Sequence, residues 1–180
     1  MVRRDSDIPS ALFEALYGDC YASVHAYALR RADPDTAQEV VADTFLTAWR
    51  RFDEVPDPPL PWLYGVARRT LANARRTRLR AQALVERATP ARTPPSDDAA
   101  ERLGESEMIR AALMGLSERD REALMLVAWE DLEPADAARA AGCSRPTFAV
   151  RLHRARRRLA HALVSERDTP SGDLSLEEAR

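Results

Sequence analysis

Arginine supplies most of the chemistry that this chain can offer. All 27 of its basic residues are arginine, set against 29 acidic residues in a chain of 180. Residues 60–87 hold seven arginines and one acid, and residues 108–164 hold ten arginines and seven acids, with an acidic stretch at 88–107 between them. Guanidinium groups bind phosphates and the guanine edge through paired hydrogen bonds. The sequence therefore indicates two contacts with one polyanion.

No catalytic or metal-binding motif accompanies these arginines. The chain has no glycine-rich phosphate loop, no H-E-x-x-H and no C-x-x-C. We therefore expect no enzymatic activity, no metal and no cofactor, and we expect Cys20 and Cys143 to be buried, reduced thiols. A cytoplasmic location is also expected, because the amino terminus lacks the apolar core of a secretory signal and no apolar run reaches membrane length.

The first basic stretch is predicted to form a two-faced helix over about residues 61–82. At about 100° per residue, one side collects small and apolar residues such as Leu63, Val66 and Ala67. The opposite side carries an arginine strip: Arg68, Arg69, Arg75, Arg76 and Arg80. Trp62 and Tyr64 flank this strip. A solvated charged face is the alternative interpretation, but five like charges without an interleaved acid repel one another.

The second basic stretch has the outline of a helix-turn-helix. A short helix over 131–141 leads into a tight turn, where Gly142 supplies the positive φ that the turn needs. Ser144 caps a longer helix over 145–164, with Phe148 and Leu152 on its apolar side and arginines opposite. This pattern is typical of a DNA-recognition helix. An arginine-rich helix in solvent is the alternative.

The remaining segments are also helical by their apolar spacing, and no strand pattern appears. Helices are predicted over about 10–31 and 36–52, the second with a capping box from Asp35 to Gln38. The fold class is all-α, with two small helical domains joined by a flexible Pro-rich linker. We place the first domain at 1–87, the linker at 88–107, the second domain at 108–164 and a disordered acidic tail at 165–180.

Three motifs, in order along the chain, resemble the extracytoplasmic-function group, or group 4, of the bacterial sigma-70 family. Residues 36–49, T-A-Q-E-V-V-A-D-T-F-L-T-A-W, are similar to the family's D-A-E-D-L-V-Q-E-T-F-L-R-A-W helix. Residues 61–69, P-W-L-Y-G-V-A-R-R, resemble its P-W-L-Y-x-I-A-R-N segment. Residues 142–156 resemble its G-C-S-x-G-T-V-K-S-R-L-H-R-A-R recognition helix.

The resemblance implies a subunit that directs core RNA polymerase to promoter DNA and melts the −10 element, without catalysis of its own. The implied core polymerase contacts are Glu39, Asp43, Phe45, Leu46 and Trp49. The implied −10 contacts are Trp62, Tyr64, Arg68, Arg69, Asn73 and Arg76. The implied −35 contacts are Arg145, Thr147, Arg151, Arg154 and Arg158. An anti-sigma factor is a common partner in this family, although no residue here identifies one.

The chain departs from the family pattern at several positions. Pro146 and Ala149 stand in the recognition helix where the family has Gly and Lys, so the −35 sequence cannot be transferred from relatives. Ala137, Ala140 and Ala141 replace larger apolar residues, which predicts a thin core at that point.

Two other classes of protein compete with this interpretation. A stand-alone helix-turn-helix transcriptional regulator would bind promoter duplex without polymerase, and it leaves the strip between Trp62 and Arg80 unexplained. An interaction protein, such as an RNA-binding or adaptor module, is the other alternative.

Overall fold

The structure, a computed structural model, describes residues 10–88 and 104–167, and every regular element in these ranges is a helix. The helices are α1 (Ser10–Leu29), α2 (Pro34–Arg50), α3 (Leu60–Ala88), α4 (Gly104–Met114), α5 (Glu118–Ala128), α6 (Pro134–Ala141) and α7 (Arg145–Arg167), with a 3-10 turn at Phe52–Glu54. The predicted all-α fold is confirmed. We call residues 10–88 the first unit and residues 104–167 the second unit.

The first unit is a bundle in which α1, α2 and α3 each contact the other two. Each helix contributes one apolar stripe to the centre, with Tyr27 from α1, Val40 from α2 and Leu63 from α3 almost completely buried. Burying an aliphatic side chain such as that of Val40 or Leu63 contributes about 1.5–3 kcal/mol to the stability of the folded state. The bundle therefore holds the opposite, polar faces of α2 and α3 toward the outside.

The start of α2 differs from the prediction. Asp33 caps this helix, because its Oδ1 accepts a hydrogen bond from the Thr36 N–H at 3.0 Å, and Pro34 follows as the first helical residue. Arg78 of α3 reaches the same carboxylate at 2.9 Å. The capping box predicted at Asp35 is wrong, since the helix begins two residues earlier than expected.

The second unit contains the predicted helix-turn-helix, formed by α6 and α7. Gly142 ends α6 with a left-handed φ of 65°, a conformation that glycine adopts without strain. The Ser144 Oγ accepts from the Thr147 N–H at 3.4 Å, at the start of α7. Ser117 caps α5 in the same way, accepting from the Asp120 N–H at 3.2 Å. The predicted turn and its Ser144 cap are confirmed.

Small residues bring α6 of the second unit against α3 of the first. A Cβ placed on Gly65 would lie 3.5 Å from the carbonyl oxygen of Ala140, so the two helix backbones almost touch there. Ala137, Ala138 and Ala140 are all buried. The thin core predicted at the alanines of α6 stays a prediction. Their small side chains let α6 lie close to α3, and one apolar cluster runs through both units.

Two helices, α3 and α4, extend into the segment that we predicted to be a linker. α3 continues to Ala88 and α4 begins at Gly104, so residues 104–107 are helical where a linker was predicted. The rest of the predicted linker lies outside the described residues, as do residues 1–9 and the predicted tail beyond Arg167. Among the helices of the described ranges, none has the length and apolar character needed to cross a bilayer.

We expect Asp33→Ala to lower the midpoint of urea denaturation, because it removes the side-chain cap of α2. The hydrogen bond from Thr36 and the Arg78 guanidinium hold the pKa of this carboxyl far below its usual range. Its stabilising effect is therefore fully present above the usual carboxyl pKa of about 4 and fades as the pH falls toward the lowered native value. Denaturation of both proteins at neutral and at acidic pH should show the difference shrinking in acid.

Asp35→Ala provides the control for this prediction. Asp35 lies in the first turn of the same helix but does not supply the cap. Its replacement should shift the midpoint much less, and equal shifts for the two variants would contradict the role of Asp33.

Candidate nucleic-acid and polymerase interfaces

The arginine strip of α3 is divided between solvent and the second unit. Arg69, Asn73 and Arg76 are exposed, and Arg76 donates a hydrogen bond to the Asn73 side-chain oxygen. Arg68 is half-buried, and its Nε donates to the carbonyl oxygen of Ala140 at 3.1 Å. Three of the predicted −10 residues therefore share an open surface, whereas Arg68 is engaged by α6.

A cavity of about 240 Å³ opens beside this strip, between α3 and α6. It is lined by Arg51, Pro56, Pro61, Trp62, Gly65, Arg69 and Arg139. Partial desolvation lowers the pKa of Arg69, and the neighbouring Arg68 and Arg51 guanidinium groups lower it further. A half-buried indole among guanidinium groups suits a stacked base whose phosphates contact the arginines.

Tyr64 does not take part in this surface. Its ring is 3% exposed and stacks on Tyr27 with the ring centroids 4.8 Å apart, and burial raises the pKa of its hydroxyl. Tyr64 fixes α3 against α1, so the prediction that it contacts −10 DNA does not fit this structure. Trp62 and Tyr64 flank the same strip in sequence, and only packing shows which of the two rings is buried.

The second arginine face lies on α7. The apolar side of this helix is buried in the second unit and comprises Phe148, Leu152 and Ala155. Arg145, Thr147 and Arg154 are exposed on the other side. Arg151 is half-buried beside the free thiol of Cys143, with its Nη1 3.7 Å from the Cys143 Sγ. Because sulfur is a weak acceptor, Arg151 can exchange this contact for a base or a phosphate oxygen.

Arg158 serves the packing of the second unit. Its guanidinium pairs with the carboxylate of Asp120 on α5, and Asp120 is only 6% exposed. A buried carboxylate needs such a partner, so Arg158 holds α7 to α5. Helical spacing placed Arg158 on the predicted DNA face together with Arg151 and Arg154. Its side chain is 61% exposed while its guanidinium pairs with Asp120, so its −35 contact stays a prediction.

The predicted core polymerase residues also divide into two groups. Glu39, Asp43 and Leu46 are exposed at helical spacing on the outer side of α2. Phe45 is 4% exposed and belongs to the core, so it is not available to a partner. Trp49 is half-buried and packs edge-on against Phe13, with the ring centroids 4.9 Å apart. The docking prediction for Phe45 therefore needs correction, because the side chain that we assigned to a partner fills the bundle.

Aromatic residues of α1 extend this outer surface, a role that the sequence analysis missed. The partly exposed rings of Tyr17 and Tyr21 pack on Phe45, with centroid distances of 4.7 and 6.4 Å. His25 stacks on Tyr21 at 5.6 Å. The spacing of four residues between these three rings was the signal available in the sequence.

Comparison with known proteins identifies this arrangement. The family model for sigma-70 region 2 matches residues 12–81, and the model for sigma-70 region 4 matches residues 106–159. The RNA polymerase sigma-E factor of Streptomyces coelicolor is 31% identical over 147 residues, which cover 81% of this chain and 81% of that protein. The chain belongs to the sigma-70 family. Its motifs therefore belong to a sigma factor, as the sequence had indicated.

Other relatives place this sigma factor in the extracytoplasmic-function group. The ECF RNA polymerase sigma factor SigL of Mycobacterium tuberculosis is 32% identical over 83% of this chain and 88% of its own length. EcfG of Rhodopseudomonas palustris is 34% identical over 84% of this chain and 87% of its own length. The sigma factor is a transcription initiation factor that works with core RNA polymerase at promoter DNA, and the stand-alone regulator is not favoured.

Solved structures share the fold of this sigma factor. The sigma factor RpoE of Bartonella quintana, in complex with the anti-sigma factor NepR, matches with a TM-score of 0.63 and 25% identity over 84% of this chain and 96% of that one. CnrH, in complex with the cytosolic domain of CnrY, matches with a TM-score of 0.59 and 23% identity. The match covers 90% of this chain and 93% of CnrH.

We expect Arg158→Ala to destabilise this sigma factor by about 1–3 kcal/mol, because it leaves the buried Asp120 carboxylate without its partner. Arg154→Ala is the matched control, since Arg154 is exposed one turn away on the same helix. Its loss should change stability by less than about 0.5 kcal/mol. Urea denaturation of the two variants measures the difference, and equal stabilities would contradict the structural role of Arg158.

Proposed function

We propose that this sigma factor divides promoter recognition between its two units, with α3 opening and holding the −10 element and α7 reading the −35 element. The observation that supports this division is a pair of arginine faces, one on each unit, free of acidic residues along residues 60–80 and 145–164. The α3 face lies beside a half-buried tryptophan, and the α7 face follows a helix-turn-helix. These two settings suit an unstacked base and a major groove, respectively.

At the −10 element, the Trp62 indole stacks on a base that has left the non-template strand. Extruding a base costs a few kcal/mol, and stacking on an aromatic ring returns about 1–3 kcal/mol. Arg69, Asn73 and Arg76 hold the flanking phosphates, since they share the exposed side of α3. Arg68 joins them once its hydrogen bond to Ala140 is released.

At the −35 element, the exposed side of α7 enters the major groove. Arg151 lies toward the start of the helix, where recognition helices contact base edges, and we assign it a base. Arg145 and Thr147 lie in the first turn beside it, and Arg154 is assigned a phosphate. Loss of a base contact relaxes specificity at one position, whereas loss of a phosphate contact weakens all sequences alike.

The outer side of α2 is the proposed docking surface for core polymerase. Glu39, Asp43 and Leu46 combine two carboxylates with one exposed apolar side chain. Tyr17 and Tyr21 adjoin them through Phe45 and add apolar area. A basic, partly apolar surface on the polymerase would complement this set.

Further proposals concern the cellular setting of the sigma factor. It has no catalysis of its own and acts in the cytoplasm, because its work consists of binding polymerase and DNA. An anti-sigma factor is a proposed partner, supported by the complex of RpoE with NepR.

Transcription with purified components tests whether promoter recognition is divided between the two units. Core polymerase plus the full chain should select promoters from a random library with two preferred elements, and core polymerase alone should not. Promoter duplex mixed with the chain alone should show no specific shift. A specific shift without polymerase would revive the helix-turn-helix regulator.

We expect Asp43→Arg to weaken core polymerase association without unfolding the first unit, because Asp43 is exposed and its charge faces outward. Competition for core polymerase against the wild-type chain measures the change, and we expect a loss of about tenfold or more. Gln38→Arg is the control, since Gln38 is exposed on another side of α2. Wild-type association of Asp43→Arg would refute the docking assignment.

We expect Trp62→Ala to leave closed-complex formation nearly intact while it slows promoter opening. Losing about 1–3 kcal/mol of stacking corresponds to a rate roughly 5-fold to 150-fold lower if the contact forms in the transition state. Permanganate reactivity of thymines near the start site follows the opening. Trp62→Phe retains a ring and should recover part of the rate, and an unchanged rate in Trp62→Ala would overturn the role of the indole.

A further inference from the structure

The exposed side of α7 carries an apolar patch among its arginines. Val150 is 51% exposed, and Pro146 and Ala149 beside it are exposed as well. We call these three residues the Val150 patch. At about 100° per residue, Val150 lies within about 60° of Thr147 and about 40° of Arg154 around the helix. The patch therefore belongs to the face that we assign to the major groove.

The packing of the second unit does not account for this valine. Phe148 and Leu152, which are 0% and 7% exposed, lie on nearly the opposite side of α7. Helix formation does not account for it either, because a β-branched residue is a poorer helix former than Lys, Glu or Ala. Val150 thus adds nothing to the folded state that a polar residue at the same position would not supply.

The Val150 patch also sets this chain apart from the motif that it resembles. The family pattern of the recognition helix has Lys and Ser at the positions of Ala149 and Val150. Two side chains that could form hydrogen bonds are therefore replaced by two that cannot. Single exposed apolar residues are common on protein surfaces, but here three of them lie within five residues on one exposed edge of the helix.

Hydrogen-bond donors for base edges lie beside the patch rather than in it. Arg145 and Arg151 precede and follow it along the helix. The Thr147 hydroxyl is already engaged, since its oxygen lies 2.8 Å from the Ser144 Oγ. A base pair that faces Val150 must therefore be recognised through apolar contact.

Thymine is the base whose major-groove edge offers such a contact. It presents a C5-methyl group there, and small apolar groups such as the side chain of Ala or the methyl of Thr contact it in protein–DNA complexes. The two methyl groups of Val150 have the same chemistry. Contact with the thymine methyl distinguishes thymine from cytosine at that position, because cytosine has a hydrogen in its place.

We propose that Val150 is a specificity-determining residue that contacts the methyl group of a thymine in the −35 element, beside the base contacted by Arg151. The inference rests on the −35 role proposed for α7. Val150 lies in the first two turns of the helix, where recognition helices contact base edges. Pro146 and Ala149 adjoin it and exclude water from the methyl group.

Promoter selection from a random library, with core polymerase and the full chain, is the first test. The wild-type chain should select thymine at one position of the −35 element. Val150→Ser should lose that preference and keep the neighbouring preference that depends on Arg151. Val164→Ser is the control, because Val164 is 59% exposed on the same helix but lies about 21 Å further along its axis. It should select the same element as the wild type.

Replacement of the selected thymine by deoxyuridine is the second test, and it needs no change to the protein. Deoxyuridine lacks the methyl group and keeps the hydrogen-bonding groups of thymine. Two templates that give run-off transcripts of different length compete for limiting holoenzyme. We expect the wild type to prefer the thymine template about fourfold, the factor that corresponds to burying one methyl group. Val150→Ser should use both templates equally.

Four results would overturn the inference. They are a selected −35 element without a preferred thymine, equal use of the two templates by the wild type, a thymine preference that survives in Val150→Ser, and a loss in Val150→Ser that is the same for all promoter sequences. The last result would indicate a contact with the DNA backbone or with polymerase, since such contacts do not depend on the base.

The −35 role of α7 is judged separately by Arg151→Ala. If this variant selects the same −35 element as the wild type, the base contact proposed for Arg151 is wrong. If it loses a preference at one position while deoxyuridine has no effect, α7 contacts the −35 element and only the inference about Val150 fails.

Discussion

Every basic side chain in this sigma factor apart from its three histidines is a guanidinium, which keeps its charge and must find oxygen partners or remain in water. This constraint sorts the arginines. Arg158 is paired with a buried aspartate and Arg31 with two glutamates, so both are part of the packing. Arg69 and Arg154 stay at the surface and are available to phosphates. Which arginines are paired within the protein, and which we propose as DNA contacts, follows from where the fold supplies carboxylates.

Small residues decide how closely the two units approach. Gly65 and Ala140 leave room for α3 and α6 to meet along their backbones, and this contact brings the Ala140 carbonyl within reach of Arg68. Gly142 serves two purposes. Its left-handed φ forms the turn between α6 and α7, and its missing side chain leaves space for Arg68, since a Cβ there would lie 2.8 Å from the Arg68 guanidinium. The turn that precedes α7 thus also accommodates Arg68, an arginine of the proposed −10 surface.

Each functional helix uses two faces for two purposes. α2 buries Val40 and Phe45 in the bundle and keeps Asp43 outside, while α7 buries Phe148 and keeps Arg154 outside. A helix held by one face presents the other in a fixed orientation, which reduces the entropy lost when a partner binds. The packing of the bundle is therefore what gives the outer residues their direction.

The sequence by itself determined the helices, the turn at Gly142 and the family, because these depend on local periodicity, on a positive φ and on short motifs. It could not tell Tyr64 from Trp62 or Arg158 from Arg154, since members of each pair share a residue class and a predicted helix face. The tertiary structure separated them, because Tyr27 stacks on Tyr64 and Asp120 pairs with Arg158. It also placed Glu122 and Glu130 beside Arg31, over a separation of about ninety residues or more. Local patterns do not encode such pairings, because they arise only when distant helices pack together.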